Sequence, residues 1–436
     1  LRVVLISAYD LGRQPFGLAS PAAWLRADGH EVTTADLSRE PPPLEAVRAA
    51  DWIAFHLPMH TATRAAIPQM QAARALNPLA RICCYGLYAP VNEEMLRGLG
   101  VTHIIGGEFE RSLADLIAGR TASSLPVILD RLPFLTPDRT TLPSLHRYAG
   151  LMRGGDRKVA GYTEASRGCK HLCRHCPIVP VYEGRFRVVP REVVLADIRQ
   201  QAGAGAEHIT FGDPDFLNGP GHALAIVEGL HAEFPDLTYD VTIKVEHLLK
   251  HRDALPVLVR TGCLFVTSAV ESLDDEVLAR LDKGHTRNGF IEALALMRAH
   301  GLPMVPTFVP FTPWTARENY LDLLRAVRDL DLIAAVAPIQ LAIRLLIPAG
   351  SKLLEIADLN AGAFDSAALS YGWAHADPEM DRLSSDLMTL IRAADRRGAS
   401  RSETFGLIWS RAFGKPPDFH LPDRATIPYM TEPWYC

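Results

Sequence analysis

Twice along this 436-residue chain, short apolar runs alternate with helix-length amphipathic segments. Such an order predicts parallel strands joined by crossover helices, and hence an α/β fold. In the first series Val3 to Ser7 reads as a strand, followed by a helix through Ala22–Asp28 that ends at Gly29. Glu31 to Ala35, Trp52 to Leu57, Arg81 to Tyr85 and Thr102 to Ile105 read as further strands of a doubly wound, Rossmann-like parallel sheet over residues 1–119. Ligands of such sheets sit at the carboxyl ends of the strands. Here those ends carry Tyr9, His56 to His60, Gly86 to Tyr88 and Gly106 to Glu108. Residues 120–157, punctuated by Pro126, Pro133, Pro137, Pro143 and the Arg153-Gly154-Gly155-Asp156 stretch, read as a linker. Over residues 158–350 the strand candidates are Gly161–Ala165, His208–Phe211, Tyr239–Ile243, Leu264–Ala269, Met304–Val309 and Ala335–Leu345. Helical segments such as Arg191–Ala202, His222–Glu233 and Asp275–Leu281 separate them, which predicts an open, partial (β/α)6 TIM barrel. Catalytic groups of barrels belong at the carboxyl ends of the strands. Residues 351–436 read as a small, mostly helical region with a tail rich in proline and aromatics.

The run S-R-G-C-K-H-L-C-R-H-C-P from Ser166 spaces Cys169, Cys173 and Cys176 as C-x3-C-x2-C, directly after the first barrel strand. Arg167, Lys170 and Arg174 make the surroundings electropositive, which favours thiolate. A [4Fe–4S] cluster is normally held by four thiolates. Three leave one iron with an open position for a small molecule. The rival is a structural zinc completed by His171 or His175, but a second short Cys/His pair is lacking elsewhere. Cys83 and Cys84, in an apolar strand, and Cys263, ahead of another, read as core. Cys436, after P-W-Y at the extreme end, has no helix to pack it.

On these cysteines the chain resembles the radical S-adenosylmethionine (SAM) superfamily, whose signature is this loop; His175 departs from the aromatic residue common before the last cysteine. The resemblance implies a [4Fe–4S] cluster on Cys169, Cys173 and Cys176, with SAM on the fourth iron. The Gly106-Gly107-Glu108-Phe109-Glu110 run is similar to the end of the cobalamin-binding domain that precedes the barrel in one branch. The lower-ligand motif D-x-H-x-x-G is absent, since Thr33 follows Asp28-Gly29-His30 where glycine should stand. Cobalamin therefore stays open as a cofactor, either bound or lost from a retained fold.

By the same resemblance Asp213 contacts the methionyl ammonium of SAM, or else caps a helix. Lys244 faces a carboxylate of SAM or substrate, or snorkels at the barrel rim. Glu271 and Ser272, ahead of Lys283-Gly284-His285-Thr286, lie near the SAM ribose, or cap the next helix. Arg344 binds a carboxylate bidentately or pairs with a helix acid. The tail T-E-P-W-Y-C resembles the start of the Cys-Cys-Ala-Glu-Pro tail, or its selenocysteine version, of radical SAM proteins that include the arsinothricin-biosynthesis group. That match implies Cys436 as a catalytic thiol and transfer of the 3-amino-3-carboxypropyl group of SAM to trivalent arsenic. The alternatives are cobalamin-dependent methyl transfer and, from another class, a zinc-stabilised non-catalytic binding module.

Hydrophobic residues make up 48% of the chain and charged ones 22%, an ordinary globular composition. A net charge of −5 without a dense basic tract argues against a nucleic-acid partner. No apolar run approaches the roughly 18–20 residues of a membrane span. Seven cysteines, three of them clustered, fit a reducing cytoplasm better than a disulfide framework. No signal peptide is visible, and Leu1 in place of Met leads one to expect a few preceding residues. The expected partners are a small-molecule substrate and a one-electron donor such as flavodoxin or ferredoxin.

Overall fold

The computed structural model describes residues 1–120, 125–422 and 427–432. Among them β1 (Arg2–Ser7), β2 (Glu31–Asp36), β3 (Trp52–His56), β4 (Arg81–Tyr85), β5 (His103–Gly107) and β6 (Val127–Ile128) form a parallel sheet. Its order is β2-β1-β3-β4-β5-β6, so the winding reverses at β1. Strand side chains alternate between faces. Val3 and Leu5 accordingly pack with Leu18, Leu25 and Leu113 on one face, while Val4 and Ile6 pack with Ala62, Ala66 and Met70 on the other. Helices on both faces are what a parallel sheet requires.

The first helix runs Phe16–Ala27 and so begins earlier than expected, carrying Pro21 inside it. Proline removes one amide donor from a helix and strands the carbonyl four residues back. That carbonyl belongs to Gly17, and the buried Tyr85 hydroxyl donates to it at 2.7 Å. A side chain from the neighbouring strand thus offsets the break that the sequence announces.

The second sheet contains β7 (Gly150–Arg153), β8 (Asp156–Thr163), β11 (His208–Phe211), β12 (Thr238–Thr242), β13 (Cys263–Glu271) and β14 (Met304–Phe308). Between β8 and β11 lies a short antiparallel pair, β9 (Ser166–Gly168) with β10 (Phe186–Val188). Strands β8, β11, β12, β13 and β14 are parallel neighbours in that order, half of a barrel. At the sixth position the strand expected over Ala335–Leu345 is reduced to one bridge, Phe311 with Arg344. Pro338 begins a 3-10 turn through Leu341 there, and a residue without an amide donor cannot extend a ladder.

Residues 120–157 are more than a connection. They add β6 to the first sheet and β7 to the second, and Gly154-Gly155, both at positive φ, turn β7 back onto β8. The C-terminal region is not only helical. Helices Pro378–Arg396 and Arg401–Phe413 pack together, beside a hairpin of β15 (Ala361–Asp365) and β16 (Ser370–Trp373). The short β17 (Tyr429–Met430) then returns to pair antiparallel with β7. Among the described residues no helix is long and apolar enough to cross a membrane.

Candidate active site

The carboxyl ends of the two sheets meet around one cavity of about 380 Å³. Asp10, Gly17, His56 and Tyr88 line it from the first sheet, and the three clustered cysteines with Asp213, Lys244, Glu271 and Arg344 line it from the second. Four of the polar side chains singled out in the sequence are thus brought together with the cysteine loop.

That loop is held by its flanks. Asp213, at the end of β11, accepts from the Ala165 amide at 2.9 Å and the Ser166 hydroxyl at 2.5 Å. Gly168 has φ +73°, and a Cβ there would run into the Tyr182 ring and the Arg185 carbonyl, so glycine is required immediately before Cys169. Past it, the Lys170 amide donates to Asn218 at 3.2 Å, and the Cys176 amide closes a turn onto the Cys173 carbonyl at 3.1 Å. Cys169 and Cys173 are buried and Cys176 is half-buried. Burial pushes the Cys176 thiol up to about 12, with Cys173 adding to the rise. A coordinated metal reverses that logic, because it deprotonates its thiols outright. Lys244 Nζ stands 3.6 Å from Cys173 Sγ, and buried Lys283 also faces the loop. Three thiols on one wall of a cavity, with two ammonium groups beside them, suit an iron–sulfur cluster held by three thiolates.

Glu271 ends β13 in a left-handed conformation, φ 67°, at a bulge in the ladder with β14. Its Oε1 lies 3.2 Å from both Lys283 Nζ and His175 Nε2. Burial opposes the carboxylate's charge, but Lys283 and His175 together outweigh it and hold the group at about 2. The departure at His175 therefore supplies a partner for Glu271. Asp213 shifts the other way: burial lifts it to about 7, against its bonds from Ser166 and Ala165.

Two expected residues have other partners. Ser272 is absent from the cavity wall, and its hydroxyl accepts from the Asp274 amide at 3.0 Å, the turn that caps the next helix. Arg344 pairs with Asp381 of helix Pro378–Arg396, donates to the Trp373 carbonyl at 3.0 Å and stacks on that indole at 3.9 Å. Of its two alternatives, pairing with a helix acid is the one observed. Cys436 lies outside the described residues. Cys83, Cys84 and Cys263 are buried core residues.

Sequence reasoning missed the group that joins the domains. Arg167, two residues before Cys169, contacts Glu110 at 2.5 and 2.9 Å, Glu164 at 2.7 Å and Glu108 at 3.5 Å. Phe16, Phe109 and Phe134 surround its guanidinium. Glu108 also accepts from Tyr182 at 3.0 Å. The signal was present as an arginine beside the cysteines and two acids in Gly106–Glu110, but nothing local says that segments 57 residues apart meet. Lys283 was visible only within the Lys-Gly-His-Thr run.

Residues 163–325 match the family described as the Radical SAM superfamily. The match covers this stretch and not the whole chain, and the family it describes uses a [4Fe–4S] cluster and SAM as cofactors. The chain is similar to the tRNA-2-methylthio-N(6)-dimethylallyladenosine synthase of Chlorobaculum tepidum, 28% identical over 46% of this chain and 44% of that protein. The synthase of Chlorobium luteolum is 24% identical over 54% and 53%. The chain thus spans about half the length of these curated relatives. Among solved structures it shares the fold of the cobalamin-dependent SAM radical enzyme OxsB with aqua-cobalamin bound, with TM-score 0.68 and 15% identity over 90% of this chain and 67% of that one. It also shares that of the methyltransferase TsrM from Kitasatospora setae with tryptophan and aza-SAM, with TM-score 0.63 and 15% identity over 82% and 76%.

Proposed function

We propose that this chain is a radical SAM transferase that cleaves SAM reductively and passes a fragment of it to a small molecule held between the two sheets. The observation that carries this reading is the shared cavity: the cysteine loop and the strand ends of the first sheet line the same space. When bound on Cys169, Cys173 and Cys176, a [4Fe–4S] cluster supplies the electron that breaks a carbon–sulfur bond of the sulfonium. The protein's own groups bind and orient. Glu271, kept ionised by Lys283 and His175, is an acceptor for the ribose hydroxyls. Asp213 retains lone pairs for the ammonium besides the two bonds it accepts, and Lys244 offers a cation for a carboxylate. Leu11, Phe109, Val309 and Ile343 make much of the wall apolar, which keeps water from a reactive fragment.

For the acceptor we favour trivalent arsenic, receiving the 3-amino-3-carboxypropyl group with help from Cys436. Supporting this, Glu432 is held by the Tyr9 hydroxyl at 2.6 Å and by Arg39 at 3.2 Å, beside Asp10 and Leu11 of the cavity wall. Cys436 follows four residues later in the sequence. Thiolates prefer soft centres. Anaerobic incubation with reductant, SAM and arsenite tests the proposal by mass spectrometry. Methylthioadenosine with an arsenic-bound aminocarboxypropyl product is expected; 5′-deoxyadenosine formed regardless of arsenite overturns the arsenic assignment.

The likeness to OxsB and TsrM favours one second reading, methyl transfer with cobalamin held by the first sheet. Reconstitution with hydroxocobalamin followed by corrin absorption separates the two. A tRNA substrate like that of the synthases fits poorly with a net charge of −5.

A further inference from the structure

Behind the cysteine loop lies a second set of convergent donors. His171 sits between Cys169 and Cys173, Asp215 follows β11, and His247 lies on the short helix Val245–Lys250. His247 Nδ1 is 2.7 Å and His171 Nε2 is 3.5 Å from Asp215 Oδ2, and the two imidazole rings are 4.6 Å apart. Asp215 is fully buried and His247 nearly so. His171 Nε2, His247 Nδ1 and Asp215 Oδ2 thus turn toward one another, and each of the three residues offers one atom of a kind that ligates metal, all within 4.8 Å of one another. Two imidazole nitrogens and a carboxylate oxygen gathered in a buried pocket form a donor set that a divalent cation can bridge in place of a direct contact.

We propose that His171, Asp215 and His247 bind a divalent transition-metal ion, zinc by their donor set, separate from the cluster on the three cysteines. Two imidazole nitrogens and one carboxylate oxygen are a common zinc triad, with a fourth position left for water. Bonds of about 2.0–2.1 Å in tetrahedral geometry separate donors by roughly 3.3 Å. Binding therefore needs His247 and Asp215 to part by about half an ångström from their 2.7 Å contact.

An outer shell is already in place. The other imidazole nitrogen of His171, Nδ1, lies 3.5 Å from Glu246 Oε2, which also lies 3.5 Å from Lys244 Nζ. A carboxylate behind a ligating histidine fixes its tautomer and raises its basicity. Asp215 Oδ1 is fixed as well, accepting from the Leu217 amide at 3.2 Å, which leaves Oδ2, the oxygen that faces both imidazoles, as the ligating atom. His171 lines the central cavity while Asp215 and His247 do not. The ion would thus sit in the wall and brace the loop between its first two cysteines against β11 and the helix after β12.

Metal analysis of the anaerobically purified full chain, supplied with Zn²⁺ and then desalted, tests this. About one zinc per chain is expected beside the cluster iron. His247→Ala and Asp215→Asn should each lower zinc at least tenfold, with the far-ultraviolet circular dichroism unchanged. The variant with Cys169, Cys173 and Cys176 all changed to alanine should keep its zinc. Co²⁺ in that variant should give visible d–d bands without thiolate charge transfer. Zinc below a tenth per chain in the wild type, or zinc that disappears with the three cysteines, overturns the proposal. Neither result bears on the SAM chemistry, which is read from its own products.

Discussion

His56 is a polar side chain in an apolar place. It ends β3 against Tyr85 and Phe109, and a Cβ on Gly17 would collide with its ring. Burial, with Arg167 adding to it, holds its imidazole down to about 3. The unfolded chain takes up a proton near pH 6.5 that the folded chain refuses until about pH 3, so folding stability rises with pH across that window. One such proton contributes a slope of about 1.4 kcal/mol per pH unit. His56→Phe should remove that slope, which urea denaturation at several pH values between 4 and 6.5 would show as a flatter profile (~1 proton less). Glu271 makes a different claim. If it accepts both ribose hydroxyls, Glu271→Gln should weaken SAM binding at least tenfold, or about 1.4 kcal/mol, since charge-assisted bonds are the stronger kind. Calorimetric titration with SAM would check this, with iron content as the control for the loop.

At the scale of elements, β9 is where the fold and the chemistry share a residue. Arg167 on β9 answers Glu108 and Glu110 at the end of β5, so the strand that leads into Cys169 is tied to the first sheet. Removing one partner of a buried ionic group costs about 3–5 kcal/mol, because the remaining charges are left unpaired. Arg167→Met should therefore lower stability by about that much and reduce iron incorporation; denaturant unfolding and iron analysis read the two effects. The sequence made the parallel strands and the cysteine loop legible, since alternation and spacing are local patterns. It concealed what depends on distant partners. The helix expected through Ala22–Asp28 starts instead at Phe16, because the carbonyl that Pro21 strands is satisfied by Tyr85, 64 residues away. Gly154-Gly155 read as linker although a two-residue glycine turn between apolar runs is also a hairpin signal. The last barrel strand failed at Pro338, where apolar content outweighed the missing amide in the reading but not in the fold. At the site, Asp213 and Glu271, named from the resemblance, and Lys244, named from its strand, all line the cavity, whereas the partner of Arg344 sits on a helix 37 residues on.

In the whole molecule, both sheets turn their strand ends toward one cavity, and the chain's last described residues return to close the edge. Pairing of β17 with β7 is reinforced by the Thr431 hydroxyl, which accepts from the Gly150 amide at 3.0 Å. Glu432 then reaches across to Tyr9 and Arg39 of the first sheet's loops. A half-exposed ion pair of this kind contributes about 0–1 kcal/mol, so it adds little to global stability. Its effect is on where the tail lies. If the tail thiol serves the acceptor, loosening this anchor should separate binding of the acceptor from cleavage of SAM. Glu432→Ala is expected to leave the urea midpoint and iron content nearly unchanged while raising the acceptor KM severalfold. Limited proteolysis should show faster cleavage near the C-terminus of the variant. An acceptor KM equal to the wild-type value, despite a tail released to protease, would sever the tail from the chemistry and leave the cavity walls alone to select the acceptor.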